Sequence, residues 1–148
     1  MPALDAISAQ VKNALIKDGW TITADPYTIT YEDAQLFADL AAERPIAAER
    51  GTEKIVVEIK SFLRPSVWND LQSAIGQYEI YRVLLEETAP EYRLLLAVSS
   101  TIYERAFLRK AISLVLGKSR IAYFAVDLER EEVVVWNEPD MPKSLKIS

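Results

Sequence analysis

Apolar residues recur along this chain with two different periods, and the changes of period mark its elements. Ile7, Val11, Ala14 and Leu15 share one helical face behind Asp5, a residue suited to capping a helix start, and Gly19 supplies the stop. Trp20 to Thr23 and Tyr27 to Tyr31 read as two short strands around Asp25-Pro26, a turn signal. A third strand is predicted from about Leu36 to Glu43 and a fourth from Lys54 to Phe62, with Pro45, Arg50 and Gly51 in the linker. Ser66, following Pro65, caps a long helix over roughly Val67 to Glu87. Leu71, Ile75, Tyr78, Arg82 and Leu85 fall on the face it would lay on a sheet, and Gly76 would permit close approach there. Arg93 to Ser99 is an apolar strand of the buried type, and Thr101 to Leu116 is a helix with a break near Phe107 and Gly117 at its end. Ile121 to Asp127 and Glu132 to Asn137 form a closing hairpin, and Glu138 to Ser148 a loose tail.

The resulting order is α-β-β-β-β-α-β-α-β-β. It predicts a mixed α/β sandwich around one mixed central sheet, in a single domain spanning the 148 residues. Half of those residues are apolar, enough for a core without staples.

Composition narrows the chemistry sharply. The chain has no cysteine and no histidine, so thiolate nucleophiles, Ser-His-Asp triads and imidazole or thiolate metal sites are excluded. Carboxylate, lysine, tyrosine, hydroxyl and backbone remain. A bound metal would be a hard cation on oxygen ligands, Mg²⁺, Mn²⁺ or Ca²⁺. The formal charge of −5 argues against a general coat of nucleic acid, though not against a local contact. No apolar run approaches the ~18 residues that span a bilayer, and the start lacks the pattern of a signal peptide. A soluble, cytoplasmic protein without a membrane partner is expected.

The segment Lys54-Ile-Val-Val-Glu-Ile-Lys60 carries the functional argument. Side chains alternate along a strand, so Glu58 and Lys60 share one face while Val57 and Ile59 point to the other. Asp39 sits in the preceding strand, where leucine, alanine or phenylalanine would be the bland choice. Antiparallel pairing of the two strands would bring Asp39 opposite Glu58. Two facing carboxylates repel, and a divalent cation resolves the repulsion. Asp39, Glu58 and the backbone carbonyl of Ile59 would hold Mg²⁺ or Mn²⁺, which activates water for phosphodiester hydrolysis, while Lys60 orients that water or stabilises the pentavalent phosphate. A salt bridge on an edge strand would use the same residues.

The order of helix, strands, Asp, Glu-x-Lys on a strand, helix, strand is also the core order of the PD-(D/E)xK, or restriction-endonuclease-like, superfamily, and the chain resembles it. Gln77 with Tyr78 in the following helix resembles the Gln-and-Tyr element of several of its branches; a helix-surface amide is the alternative. A closer resemblance is carried by Val11-Lys-Asn-Ala-Leu-Ile-Lys-Asp-Gly-Trp-Thr-Ile-Thr23, Ile46-Ala-Ala-Glu49, Val57-Glu-Ile-Lys-Ser-Phe62 and Ala74-Ile-Gly-Gln-Tyr78 with Tyr81-Arg82. These blocks, in this order across nearly the whole chain, resemble the XisH family, the fdxN-element excision controlling factors of cyanobacteria. The resemblance implies a restriction-endonuclease-like fold and a role in programmed DNA excision, with a site-specific recombinase and a small companion control protein as partners. It places Asp39, Glu58 and Lys60 on the family's acidic-lysine positions and Gln77 on its helix glutamine. Ser8 stands near a position where the family commonly has histidine, and Ala41 near one where it has glycine.

Arg105, Arg109 and Lys110, with Lys118 and Arg120, form the densest basic cluster, and Arg105 and Arg109, one helical turn apart, make it either a phosphate-bridging face or a solvated one. Trp68 and Tyr81 suit base stacking or core packing. Glu129 to Glu132 reads as a charged turn. Val133 to Trp136 is apolar enough for sheet packing or for contact with a second copy of the chain. Two functions stay open: a Mg²⁺-dependent nuclease of an excision system, or a non-catalytic regulator on the same fold that binds DNA, the recombinase or the companion protein.

Overall fold

In the computed structural model, which describes residues 5–46 and 51–139, helix α1 (Asp5–Lys17) leads into β1 (Thr21–Ala24). There follow β2 (Tyr27–Tyr31), β3 (Ala34–Ala38), β4 (Leu40–Ile46) and β5 (Gly51–Ile59). Helix α2 (Val67–Thr88) crosses to β6 (Tyr92–Ser99). A short α3 (Ser100–Ile102) runs into one π-helical turn, Tyr103–Phe107, and then α4 (Lys110–Lys118). The hairpin of β7 (Tyr123–Asp127) and β8 (Glu132–Asn137) closes the described chain. The Asp5 side chain, Arg50 and tail residues 140–148 lie outside the described residues.

Six strands form one mixed sheet in the order β1-β4-β5-β6-β7-β8. The β5-β6 and β6-β7 pairs are parallel and the others antiparallel. The parallel strands are apolar on both sides because both faces are covered. Alternation splits β5 between two cores. Ile55, Val57 and Ile59 pack with Val11, Ala14, Leu15 and Trp20 on the α1 side. Val56 packs with Leu71, Tyr78, Tyr81 and Phe107 on the opposite side, and Glu58, two residues on, shares that side.

Five expectations change. Glu138, placed in the loose tail, is instead buried, and its carboxylate accepts from Arg93 Nε at 2.6 Å. The third strand is two strands: the run breaks at Asp39, with β3 pairing β2 in a separate two-stranded sheet and β4 joining the main one. One continuous strand could not serve both sheets. Pro45 and Gly51 lie inside β4 and β5 rather than in a linker, paired with Thr52 and Ile46. In α2 the buried face runs through Leu71, Ala74, Tyr78, Tyr81 and Leu85. Tyr81 therefore takes the place expected of Arg82, which is half-buried and paired with Glu79. Gly76 is exposed, and a Cβ built there meets nothing within 4 Å, so it allows no close approach.

Other readings are borne out. Ser66 caps α2 by accepting from the Asn69 amide at 3.2 Å. The break near Phe107 is the π turn, after which Arg109 takes an extended conformation as the N-cap of α4. Arg105 and Arg109 are thus separated by this break rather than by a regular helical turn. Sheet packing accounts for most of the apolar β8: Val133 and Trp136 face one core and Val135 the other, with Val134 left out at a bulge. Trp136 stacks between Phe124 at 4.9 Å and Trp20 at 5.6 Å. No described helix is long and apolar enough to cross a membrane.

Gly76 gives a direct test of the helix assignment. Gly76→Ala should stabilise the protein by up to about 1 kcal/mol, raising the melting temperature by about 2–4 °C, because alanine removes backbone entropy from an open helical site. A fall in melting temperature would show that the site is crowded.

Candidate active site

Asp39 belongs to neither strand that flanks it, and this position gives the site its geometry. Its backbone amide donates to Glu58 Oε1 at 3.2 Å, in place of a ladder partner. Its carboxylate in turn accepts from the Ile59 amide, with Oδ2 at 2.7 Å. The register of β4 and β5 pairs Leu40 with Val57, which sets Asp39 beside Glu58 as antiparallel pairing requires. Lys60 leaves the end of β5 and its Nζ lies 3.5 Å from Glu58 Oε2. Asp39, Glu58 and Lys60 are therefore together, at the carboxyl end of a parallel strand, where open α/β sheets usually bind ligands.

The cluster is poorly solvated. Glu58 is only 6% exposed. Burial, followed by the neighbouring Asp39 charge, pushes its carboxyl up to about 7, although Lys60 and the Asp39 amide oppose the shift. Asp39 is raised as well, chiefly by burial, while the Ile59 amide and Lys60 pull against that. One ammonium does not neutralise two carboxylates in a low-dielectric site.

Gln77 does not touch the carboxylates. Its Nε2 donates to the Tyr81 hydroxyl at 2.8 Å, and that hydroxyl donates to the Phe37 carbonyl at 2.9 Å. Phe37 lies two residues before Asp39. The chain Gln77-Tyr81-Phe37 thus ties α2 to β3 and sets where Asp39 begins. Tyr81 is the residue the sequence reading missed as a site element. Its hydroxyl is raised by burial, with Glu58 and Asp39 adding to the shift. Tyr78 is not Gln77's companion: its hydroxyl donates to the Leu94 carbonyl and accepts from the Ala122 amide, deep in the core. Trp68 is partly exposed at the start of α2, and Tyr81 is buried in the core.

Beyond Lys60 the chain turns through Phe62, whose φ of +53° is unusual for an aromatic residue. Such a conformation costs on the order of 1–3 kcal/mol and persists where packing fixes it. Here the ring is buried, edge-on against Phe107 at 5.7 Å. A cavity of about 220 Å³ opens beside Lys60, with Ser61, Arg64, Asp70 and Ser73 in its wall. Ser61 Oγ is buried there without a partner.

The donor set fits a hard cation. Among the described residues no group of three or more acidic side chains forms. A cation at this site would rest on two carboxylates, a main-chain carbonyl such as that of Ile59, and water, the ligand habit of Mg²⁺. The uncompensated charge on Glu58 and Asp39 is what such an ion would satisfy.

The chain matches the family described as XisH protein over residues 1–134. It is similar to a crystal structure of an XisH family protein from Nostoc punctiforme PCC 73102, with 38% identity and a TM-score of 0.80, covering 89% of this chain and 98% of that chain. It is also similar to the structure of an fdxN element excision controlling factor protein from Anabaena variabilis, at 35% identity, TM-score 0.80 and the same coverage. No curated protein matches the chain.

The raised Glu58 carboxyl has a measurable consequence in the metal-free protein. Its ordinary value is 4.5 and its folded value about 7, so between these the unfolded chain has released a proton that the folded chain retains. The contribution of Glu58 to stability is therefore full below pH 4.5, falls as pH rises to about 7, and is lost above it. Melting curves from about pH 4.5 to 8 should show this fall for wild type and a smaller one for Glu58→Gln. Equal falls in both proteins would mean that Glu58 is not desolvated.

Proposed function

This chain belongs to the XisH family, and from that membership and the Asp39-Glu58-Lys60 cluster we propose a divalent-metal-dependent, nuclease-like DNA-processing protein of programmed DNA excision. The carrying observation is the pair of carboxylates, joined through backbone amides, with Glu58 6% exposed and an ammonium 3.5 Å away. A structural ion pair would not need a second buried carboxylate. A phosphodiester hydrolase does, because the reaction places negative charge where a cation and a lysine must meet it.

In this reading Asp39, Glu58 and the Ile59 carbonyl hold Mg²⁺ or Mn²⁺, which would supply Lewis-acid polarisation of the phosphate and water activation. Lys60 orients the attacking water or stabilises the phosphate as it becomes pentavalent. Gln77 acts through Tyr81 and Phe37 to position Asp39 and touches no substrate. The order of strands, acid, Glu-x-Lys, helix and parallel strand supports a restriction-endonuclease-like ancestry. DNA is the substrate class. The excision role named for the Anabaena variabilis relative suggests a site-specific recombinase and a companion control protein as partners. The second reading is a regulator that keeps the fold and binds these partners without turnover. The net charge of −5 favours it, since weak non-specific affinity for DNA is what such a charge produces.

Purified protein with Mg²⁺ or Mn²⁺ should nick or cut duplex, branched or single-stranded DNA, and Glu58→Gln should abolish this while remaining folded. Lys60→Ala should slow it by on the order of 10²–10³. Mn²⁺ should raise the melting temperature of wild type but not of Glu58→Gln. If both proteins are inert on every substrate and both support excision in cells, the catalytic reading fails and the regulator stands.

A further inference from the structure

Most cations in the described chain are already engaged. Lys12 pairs with Asp25, Arg44 with Asp18 and Glu53, Arg64 with Asp70, Arg82 with Glu79, and Arg93 with Glu53 and Glu138. Lys60 leans on Glu58, Lys17 donates to the Arg130 carbonyl, and Lys54 lies over the Tyr92 ring. Arg120 is engaged as well. Among the described residues, the side chains of Arg105, Arg109, Lys110, Lys118 and Arg130 make no ion pair, hydrogen bond or ring contact. Four of these five fall in the segment 100–118, whose sole acid is Glu104, in a chain with a net charge of −5. All four are exposed.

This segment is fixed to the site. It starts at the carboxyl end of β6, the parallel neighbour of β5, where Ala97 pairs with Ile59. Ser99 Oγ accepts from the Ile102 amide at 3.1 Å and ties down the first turn. Phe107, from the π turn, packs against Phe62, two residues beyond Lys60, and edge-on against Tyr123 at 4.9 Å. Phe107 and Phe62 lie in the core on the face that Glu58 shares. The start of this segment, around Phe107, therefore lies at the same end and on the same side of the sheet as the carboxylate site, while α4 carries Lys118 back toward the start of β7. Leu108, 57% exposed, stands between Arg105 and Arg109 and offers an apolar contact to a sugar or base.

We propose that Arg105, Arg109 and Lys110 form a ridge that grips the phosphate backbone of a nucleic acid whose reacting phosphate lies at Asp39, Glu58 and Lys60. It rests on the phosphodiester reading of that cluster. Nucleic acid fits better than an acidic peptide because the ridge continues from a site built for phosphate, and because a backbone of regularly spaced charges can meet both at once. Arg130 serves as an internal control. It lies on the hairpin turn beside α1, on the opposite side of the sheet, where its carbonyl accepts from Lys17.

The test measures affinity for a 30-base-pair duplex DNA (about three helical turns) by fluorescence anisotropy across about 50–200 mM salt. It uses full-length Glu58→Gln protein in EDTA, which removes one repelling charge and prevents cutting. Arg105→Gln, Arg109→Gln and Lys110→Gln together should reduce the slope of log affinity against log salt by about 2–3, so the background protein loses about 40-fold more affinity than the triple variant over that range. Arg105→Gln alone should reduce the slope by about 1, which covers the case of a poorly folded triple variant. Arg130→Gln should change nothing. Parallel slopes for background and triple variant, or an equal effect from Arg130→Gln, would overturn the ridge. Binding to poly-glutamate in place of the duplex would overturn nucleic acid as its partner. A DNA-binding ridge together with an uncleaved wild-type reaction would leave the grip of the ridge on the backbone standing and overturn the placing of a reacting phosphate at the cluster.

Discussion

Two carboxylates share one desolvated place at the end of β5, and the surrounding structure is arranged to hold them there. Glu58 accepts from the Asp39 amide and Asp39 from the Ile59 amide of β5, so neither can turn to solvent without breaking a hydrogen bond. Burial raises both, and Lys60 offsets only part of the charge. The break between β3 and β4 is the backbone counterpart of this arrangement. A residue inside a regular strand spends its amide on the ladder; Asp39, lying between two sheets, is free to spend it on a side chain. Gln77 and Tyr81 then hold the preceding strand against α2, which fixes where the break falls.

The other end of the same strand shows what a purely structural buried glutamate looks like. Glu53 is 8% exposed, about as buried as Glu58. Arg44 reaches its Oε2 at 3.0 Å and Arg93 its Oε1 at 2.9 Å, and Arg93 also binds Glu138. Arg44 additionally stacks over Trp20, 4.4 Å from the ring centre. Both oxygens of Glu53 thus meet a guanidinium. Removing one partner from such a network costs about 3–5 kcal/mol, because a charge is left buried and unpaired. Glu58 lives with part of that imbalance in its resting state. A fold that can neutralise Glu53 so completely leaves Glu58 short of partners, and that contrast supports a functional reading of Glu58.

Much of this was legible in the residues, because local periodicity and pairing rules act on them directly. Alternation alone put Glu58 and Lys60 on one face, and antiparallel neighbours were enough to bring Asp39 to them. Ser66, the apolar β6 and the closing hairpin follow from capping, burial and turn chemistry in the same way. What escaped depends on contacts between elements. The strand break at Asp39 leaves no breaker residue in Phe37-Ala-Asp-Leu40, since a side chain from another strand causes it. Tyr81 and Arg82 are adjacent, so a small rotation of α2 decides which one faces the sheet, and spacing cannot fix that rotation. Gly76 invited a packing explanation that its exposed position removes. The partner of Gln77 is Tyr81, one turn along the helix, rather than the adjacent Tyr78, because neighbours at i and i+4 meet on a helix while i and i+1 diverge.

Net charge is a poor guide to what this surface can approach. At physiological ionic strength exposed charges are screened over about 8 Å, so a formal −5 spread over the molecule says little about the field at one edge of the sheet. Locally the balance is different: four cations and one acid on segment 100–118, and two carboxylates with one lysine at the site. The first attracts a polyanion and the second repels it. A phosphate can therefore come to rest beside Lys60 only when the Asp39-Glu58 charge has been reduced, by a proton or by a cation. The raised Glu58 makes the proton available near neutral pH, but a protonated carboxyl is a weaker ligand for a metal. Proton and cation would thus compete for one place.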